Sequence, residues 1–380
     1  MKKSKLLLRV IPAILVCLCM FALVGCEAAT PATPAPAPTP APAAEPEPES
    51  PVSEEPAPAP EPADEQIRVA LISGLLGDMS YNDSCMEGAV RARDQFGVYL
   101  RSLEGATASE HEANFLAAAE EGFDLIICAS SDFQEILREN AQHYPDTKFA
   151  IIDTTVEADN VVSISFAQNQ GSFLAGAAAA MWTTRTEIPG VNEQKTIGWV
   201  GGMDIPVLHD FFTGFEEGAK YIEPDIEILQ AFAGTWNDPL KGKELTLGFF
   251  ELGADVVMNV ASGTGNGVLE GAAEAGRYAI GVDLNQDGDQ PGAVITSMLK
   301  RVDQACFLII ESVVNGTFQG GTSSYLDINV GGVSLTDFAV MREHLGDLFP
   351  EDIVEAIAEL EAKVRSGEIV VSNFEGFGPR

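Results

Sequence analysis

A six-residue segment near the start of the chain, Gly77-Asp78-Met79-Ser80-Tyr81-Asn82, carries side chains that can bind a small polar ligand. It offers a carboxylate, a hydroxyl, an aromatic ring and an amide. Carboxylates and amides exchange hydrogen bonds with polar groups, and a ring stacks on a planar group. We interpret the segment as a binding loop in which Tyr81 stacks and Asp78 and Asn82 form hydrogen bonds. The structural alternative is that Ser80 or Asn82 caps a helix and Tyr81 packs in the core.

The segment lies between two predicted elements. Residues 67–72 form an apolar run typical of a buried strand, and residues 83–96 repeat apolar side chains at helical spacing. The segment is therefore expected at the carboxyl end of a first strand. Ligands bind at this position in α/β sheets, because helix N-termini and free backbone amides converge there.

Predicted strands and helices alternate through the rest of the chain in two series. The first has strands at 98–103, 125–128, 149–153 and 161–166, and helices at 109–121, 133–144 and 170–183. The second has strands at 197–202, 227–232, 255–260 and 278–283, and helices at 209–221, 241–252 and 268–275. A strand at 293–297, a helix at 301–315, a strand at 325–330 and a helix at 351–365 follow.

This alternation predicts an α/β fold with parallel sheets covered by helices on both faces. The two series indicate two similar Rossmann-like lobes joined by a hinge. We expect lobe 1 to contain residues 66–167 plus about 288–318, and lobe 2 to contain residues 168–287 plus about 319–380.

Further candidate site residues follow the predicted strands of both lobes. They are Asp132, Trp236, Gly263 in the loop 263–267, Asp283, Asn285 and Lys300. Tyr81 and Trp236, from opposite lobes, can enclose a planar base, and such stacking contributes roughly 1–3 kcal/mol per base. Lys300 is a single cation without an Arg cluster, whereas a phosphate requires more donors. The set therefore favours a nucleoside over a nucleotide.

Three of these residues also have structural interpretations. The loop 263–267 lacks the spacing of a phosphate-binding loop, so it indicates close approach to a neutral ligand or a tight turn. Trp236 can be a core residue, although Asn237-Asp238-Pro239 beside it is typical of a turn. Lys300 is predicted to open a helix, where the dipole disfavours a cation. A specific partner is therefore favoured over a solvated Lys300.

The first 65 residues have the composition of an export and anchoring segment. A basic start and an apolar run lead to Leu23-Val24-Gly25-Cys26, which predicts a lipoprotein signal peptide, residues 1–26, with lipidation at Cys26. The alternative is an ordinary signal peptide or a short membrane anchor. Residues 27–65 are rich in Ala, Pro and Glu and predict a disordered tether, because they cannot bury a core.

Composition excludes several other classes of protein. The formal charge of −35 argues against nucleic-acid binding, which requires a basic face. No Cys or His spacing predicts a metal site, and no cofactor is expected. Outside the leader and Cys26, three cysteines remain, Cys85, Cys128 and Cys306, and we expect them to be buried thiols.

Six motifs in order give the chain a family resemblance. Residues 78–82 resemble the Asp-x-Ser-Phe-Asn motif of the basic membrane lipoprotein family, the PnrA-like substrate-binding lipoproteins of purine nucleoside ABC transporters. The other matches are Gln170–Gly176, Gly234–Pro239 with Lys241–Glu244, Gly253–Val256, Ala279–Asp283 and Thr296–Val302. The resemblance covers about residues 66–340 and implies a type I periplasmic-binding-protein fold, two lobes joined by crossing strands.

The chain departs from the family pattern at three places. Tyr81 replaces the usual Phe, and Trp236 stands where Phe is common, so both positions keep an aromatic ring. Asp283-Leu284-Asn285-Gln286 stands where many members have a second Asp. Asp283 or Asn285 is therefore expected to hold the sugar hydroxyls, while Asp78, Asn82 and Asp132 share the base edge and the ribose.

The resemblance implies an extracytoplasmic lipoprotein that captures a purine nucleoside between two lobes and delivers it to an ABC transporter permease. We expect a monomer, lipid-anchored on the cell membrane, and not an enzyme. The alternative in the same fold is a sugar-binding or ligand-sensing lipoprotein. Catalysis is the competing class, since Asp78 and Asp132 can in principle act as an acid–base pair. The four histidines, however, show no His-Glu-x-x-His spacing.

Replacing Cys26 with Ala should abolish lipidation, because the thiol is the predicted acceptor of the lipid. The variant should be released from the membrane or accumulate as an unprocessed precursor, as measured by cell fractionation and intact mass. Normal processing and full membrane retention of Cys26→Ala would contradict the lipoprotein prediction.

Overall fold

The computed structural model describes residues 66–376. The predicted signal peptide, the lipidation site Cys26 and the tether, residues 27–65, lie outside the described residues. No helix within residues 66–376 is long and apolar enough to cross a membrane.

The described chain forms two sheets of six strands each. The strands are β1 (Arg68–Ser73), β2 (Tyr99–Glu104), β3 (Leu125–Cys128), β4 (Lys148–Ile152), β5 (Val161–Phe166), β6 (Thr196–Gly201), β7 (Glu227–Phe232), β8 (Ala254–Val260), β9 (Tyr278–Asp283), β10 (Val294–Lys300), β11 (Thr322–Leu326) and β12 (Val333–Leu335). The helices are α1 (Tyr81–Phe96), α2 (Ala108–Glu120), α3 (Gln134–Asn140), α4 (Gln168–Thr183), α5 (Pro206–Ile222), α6 (Pro239–Glu251), α7 (Gly263–Ala275), α8 (Val302–Val314), α9 (Ala339–Leu345) and α10 (Glu351–Ser366).

Each sheet is the centre of one lobe. Lobe 1 has the strand order β11-β5-β4-β3-β1-β2, and all of its pairings are parallel. Lobe 2 has the order β12-β10-β9-β8-β6-β7, with only β12 antiparallel among these strands. The central strands are largely apolar and mostly buried, as in the fully apolar and fully buried β3, because helices cover both faces of each sheet. The predicted α/β fold with two parallel-sheet lobes is confirmed.

The predicted boundaries between the lobes are wrong at two strands. Strand β10 was assigned to lobe 1, but it pairs with β9 in lobe 2. Strand β11 was assigned to lobe 2, but it pairs with β5 in lobe 1. An apolar run does not show which sheet it will join, since the choice depends on hydrogen bonds to a strand distant in sequence. The described chain passes between the lobes after β5, after β10 and after β11.

Several predicted elements begin or end elsewhere in the structure. Helix α1 begins at Tyr81, so Tyr81 and Asn82 belong to its first turn rather than to a loop. Lys300 ends strand β10 and does not open a helix, so the helix-dipole argument for it was wrong. The predicted helix 133–144 is a short α3 between two 3₁₀ turns. Strand β12 and helix α9 were not predicted.

The glycine-rich residues 263–267 form the first turns of α7, not a loop. Glycine is required there by packing: a Cβ atom at Gly267 would lie 1.7 Å from the carbonyl oxygen of Pro239. Glycine, which indicates a turn in the sequence, here allows α7 to lie directly against α6.

Helices α4 and α5 pack by the same kind of close approach. A Cβ atom at Gly218 would lie 1.9 Å from the carbonyl oxygen of Phe173. Because the obstacle is backbone rather than a movable side chain, one added methyl group must push the two helices apart. Helix α4 is also the first element after the chain leaves lobe 1, so this contact fixes the start of lobe 2.

Gly218→Ala should lower the free energy of unfolding by roughly 1–3 kcal/mol, since overpacking a close helix contact displaces backbone. The matched control is Gly248→Ala in α6, where no atom lies within 4 Å of the added Cβ. There the exchange should raise stability by roughly 0.5–1 kcal/mol through helix propensity. Urea unfolding measures both, and a Gly218→Ala protein as stable as the control would contradict the packing argument.

Candidate ligand-binding site

A cavity lies between the two lobes, at the carboxyl ends of their parallel strands. Its walls include six of the predicted site residues: Tyr81, Asn82, Asp132, Trp236, Asp283 and Lys300. Residues from both sequence series therefore meet at one place. This position follows from the topology, because every central strand of each lobe ends at this side.

Two half-buried aromatic rings enter the cavity from opposite lobes. Tyr81 comes from the first turn of α1 in lobe 1, and Trp236 comes from the β7–α6 connection in lobe 2. The Trp236 ring packs against Gly202, where a side chain would occupy the same space. Burial raises the pKa of Tyr81 well above its ordinary value, so its hydroxyl stays neutral. A planar ligand between the lobes can contact both rings.

The cavity wall contains an ion pair that joins the lobes. The Lys300 ammonium from β10 lies 2.6 Å from one carboxylate oxygen of Asp153 and donates to the other at 2.7 Å. Both side chains are almost fully buried. The ammonium also lies over the rings of Tyr81, Phe166 and Phe211, at 5.2–5.5 Å from their centroids. Such contacts stabilise a cation that has lost its water.

Asp153 and Phe211 were not predicted as site residues, although both line the cavity. Asp153 immediately follows β4, much as Asp283 ends β9, so its position after an apolar strand was an available indication. Phe211 lies within α5, and nothing in its local sequence distinguishes it from a core residue.

Asp283 is a buried carboxylate held by a residue of the other lobe. The Ser80 hydroxyl donates to its Oδ2 at 2.6 Å. Burial raises the pKa of Asp283 to about 7, an effect that Lys300 and the Ser80 hydrogen bond oppose and that Asp78 and Asp153 reinforce. The side chain therefore titrates near neutral pH.

Asn82 and Asp132 occupy different parts of the cavity wall. The Asn82 side chain accepts from the Gly74 amide at 3.0 Å and donates to Asp78 at 2.8 Å, so it also organises lobe 1. Asp132 is exposed at the turn before α3, and the Ser130 hydroxyl accepts a hydrogen bond from its backbone amide. The Asp132 carboxylate is therefore the more accessible of the two groups.

The remaining three predicted residues are not among those lining the cavity. Asp78 is buried and its carboxylate accepts from the amides of the α1 N-terminus and from Ser262 Oγ of lobe 2, the latter at 2.6 Å. Gly263 opens α7 beside Trp236 and Asp78. Asn285 is exposed and its side chain accepts from the Asp287 amide. Of the two candidates for holding the sugar, the structure therefore places Asp283, not Asn285, in the cavity wall.

Strained backbone concentrates around this cleft. Among residues 66–376, six non-glycine residues have positive φ, and four of them lie here: Met79, Asp153, Ser262 and Asp283. Such conformations cost of order 1–3 kcal/mol each and persist only where surrounding contacts enforce them. The contacts between the lobes supply that enforcement.

The site can stack a flat ring, accept hydrogen bonds at carboxylates and donate from one ammonium. Lys300 is the only Lys or Arg that lines the cavity in the described chain, and Asp153 already neutralises it. The cavity therefore suits an uncharged ligand with hydroxyl groups better than a phosphate, which prefers several donors.

The fold and the interlobe cavity are those of a solute-binding protein. The family model of ABC transporter substrate-binding proteins described as PnrA-like matches residues 66–374, and the chain belongs to this family. The predicted resemblance is therefore confirmed. Members of this class bind solutes for ABC transporters and are not enzymes.

Three known proteins illustrate the relationship. The nucleoside-binding protein BmpA of an ABC transporter from Lactococcus lactis is 28% identical, over 80% of this chain and 89% of its own. An uncharacterised lipoprotein of Pyrococcus abyssi is 31% identical over 80% of this chain and 84% of its own. A solved ABC-transporter solute-binding protein of Aeropyrum pernix matches with a TM-score of 0.74 and 29% identity, over 82% of this chain and 94% of that one.

The titration of Asp283 should appear in the pH dependence of stability. The folded pKa of about 7 lies above the ordinary 3.8, so between these values the folded protein binds the additional proton. Stability from this group is therefore complete at acidic pH and declines as pH rises towards 7. Relative to Asp283→Asn, the wild-type free energy of unfolding should fall between about pH 4 and 7, by at most about 1.4 kcal/mol per pH unit.

Urea unfolding of the ligand-free proteins at several pH values measures this difference. Asp210, Asp255 and Asp287 also have raised pKa values and contribute to the pH dependence of stability. Because both proteins contain them, their contribution cancels in the difference between wild type and Asp283→Asn. Parallel stability curves for wild type and Asp283→Asn across this range would show that Asp283 does not titrate as its burial requires.

Proposed function

We propose that this protein captures a purine nucleoside between its lobes and delivers it to the permease of an ABC transporter. The observation that carries the proposal is the cavity in which Tyr81 and Trp236 enter from opposite lobes beside buried carboxylates. The name of the L. lactis relative, a nucleoside-binding protein, supports the same class of ligand.

The two aromatic rings can bind the purine base by stacking. A purine placed between Tyr81 and Trp236 gains a stacking face from each lobe, roughly 1–3 kcal/mol per face. Stacking on one ring alone gives no reason for the lobes to close, whereas contact with both favours the closed state. The exposed carboxylate of Asp132 and the amide of Asn82 lie on the lobe 1 side, where they can read the polar edge of the base.

The buried charged groups can form hydrogen bonds with the hydroxyls of the sugar. In its ionised form, Asp283 can accept hydrogen bonds from the vicinal hydroxyls of a ribose, and the Lys300 ammonium can donate to a hydroxyl oxygen while it stays paired with Asp153. A phosphate in the same place would meet two buried carboxylates and one neutralised cation. A nucleoside is therefore favoured over a nucleotide.

The proposal also places the protein at the membrane surface. Lipidation at Cys26 would hold it on the extracytoplasmic face of the cell membrane, and the Ala/Pro/Glu-rich tether would let the binding domain reach a permease. Relatives described as lipoproteins support this arrangement.

Adding adenosine, guanosine or inosine should change the tryptophan fluorescence of the protein saturably, because one of its three tryptophans, Trp236, lines the cavity. Trp182 and Trp199 are fully buried elsewhere and should respond little. Trp236→Phe should keep binding but lose most of the change, whereas Trp236→Ala and Tyr81→Ala should bind at least about tenfold more weakly. Isothermal titration calorimetry measures the affinities.

The controls separate the parts of the proposal. Asp347→Ala, at an exposed residue of lobe 2 outside the cavity, should bind like wild type. Equal affinity for adenine and adenosine would remove the ribose assignment. Wild-type affinity in both Trp236→Ala and Tyr81→Ala would refute the nucleoside proposal, and binding of free sugars instead would support the sugar-binding alternative. Recovery of the nucleoside unchanged after incubation distinguishes a carrier from a hydrolase.

A further inference from the structure

Four hydrogen bonds join the segment Asp78–Ser80 of lobe 1 to lobe 2. Two connect side chains at short distances: Ser262 Oγ donates to Asp78 Oδ2 at 2.6 Å, and Ser80 Oγ donates to Asp283 Oδ2 at 2.6 Å. In the other two, side-chain amides of lobe 2, from Gln286 and Asn266, donate to the carbonyl oxygens of Met79 at 2.9 Å and of Asp78 at 3.2 Å.

The same segment is firmly held within lobe 1. The Asp78 carboxylate accepts from the backbone amides of Ser80, Asn82 and Asp83 and from the Asn82 side chain, at 2.8–3.1 Å. The Asp83 carboxylate accepts from the amides of Gly77 and Met79, both at 2.8 Å. Because the segment is fixed to α1, moving lobe 1 away from lobe 2 must break its bonds to lobe 2.

None of the three residues Asp78, Met79 and Ser80 is among those lining the cavity. They therefore belong to the contact between the lobes rather than to the cavity wall, whereas their partners Ser262 and Asp283 line the cavity. Bonds that exist only when the lobes meet stabilise the closed arrangement selectively, and apparent affinity rises with the population of the binding-competent state.

We infer that Asp78–Ser80 is a closing latch, whose hydrogen bonds to Ser262 and Asp283 hold the lobes together and thereby set ligand affinity and release. The effect on ligand affinity and release rests on the proposed function, whereas the effect on lobe closure does not. Ser80 also acts as a positioning residue for Asp283. Its hydroxyl fixes the orientation of the Asp283 carboxylate, whose other oxygen is left for the cavity.

The first experiment measures closure without any ligand. Spin labels on Glu135→Cys in lobe 1 and Glu244→Cys in lobe 2, both exposed, report the distance between the lobes of the full-length chain by double electron–electron resonance. Cys17, Cys19 and Cys26 are replaced by Ala in the labelled protein. The thiols of Cys85, Cys128 and Cys306 are buried, so the labels should attach to the introduced cysteines. The variants are Ser80→Ala, Ser262→Ala and the double variant.

The matched control is Ser84→Ala, the same exchange one turn along α1 at a buried hydroxyl without a hydrogen-bond partner in the described chain. The latch variants should have a larger population with long interlobe distances than wild type and Ser84→Ala, and Ser80→Thr, which keeps the hydroxyl, should return the distribution towards that of wild type. Identical distance distributions in wild type and the double variant would overturn the latch. If the double variant does not fold, the comparison is made with the single variants.

The second experiment measures binding of adenosine, guanosine and inosine. Losing a hydrogen bond to a charged group should weaken affinity about ten- to a hundredfold in Ser80→Ala, and faster dissociation should account for most of this loss. The pH at which binding is half-maximal should also move upward in Ser80→Ala, because the lost hydrogen bond favoured the ionised form of Asp283. Ser84→Ala should change neither quantity.

The two experiments separate the latch from the ligand. If wild type binds none of the three nucleosides, the proposed function fails, while the distance measurement still decides the latch. If nucleosides bind and Ser80→Ala releases them at the wild-type rate with an unchanged pH profile, the latch is overturned although the proposed function stands.

Discussion

The arrangement of the two lobes depends on a buried ion pair between Lys300 and Asp153. Each charge comes from the end of a strand in a different lobe, and burying either one alone would be strongly unfavourable. The contact at 2.6 Å is possible only when the two sheets present their carboxyl ends to each other. The rings of Tyr81, Phe166 and Phe211 around the ammonium exclude water and strengthen the attraction. The pair thus joins the lobes and places one donor inside the cavity.

The second contact between the lobes uses neutral donors and buried carboxylates. Ser262 donates to Asp78, and Ser80 donates to Asp283, so each lobe supplies one hydroxyl and one carboxylate. Asp283 belongs at once to this contact and to the cavity wall. Any group that changes its charge therefore changes both the closure of the lobes and the environment of a bound ligand. Strained backbone is found at the same contact, at Met79, Ser262 and Asp283.

The sequence was a reliable guide to the individual strands. The ends of β3, β5, β7 and β9 agree with the predicted ranges, because each is a short apolar run bounded by polar or turn residues. The sequence was a poorer guide where one residue type is common in two kinds of structure. Gly267 indicates a turn in sequence, yet it serves helix packing, and Lys300 was placed at a helix start although it ends β10. Of the nine residues predicted for the ligand site, six line the cavity, whereas Asp78, Gly263 and Asn285 do not.

The sequence by itself determined the α/β class, the existence of two lobes and the position of the site at the strand ends. These properties follow from local patterns: apolar runs, helical spacing and polar residues directly after strands. Only the tertiary structure decided which lobe receives β10 and β11, which aspartates line the cavity and which residue of the other lobe each aspartate contacts. Asp78, Asp153 and Asp283 are all aspartates at or shortly after the ends of predicted strands, and nothing local distinguishes them. Their roles are set by partners between 147 and 203 residues away, Ser262, Lys300 and Ser80, which only the folded chain brings within hydrogen-bonding distance.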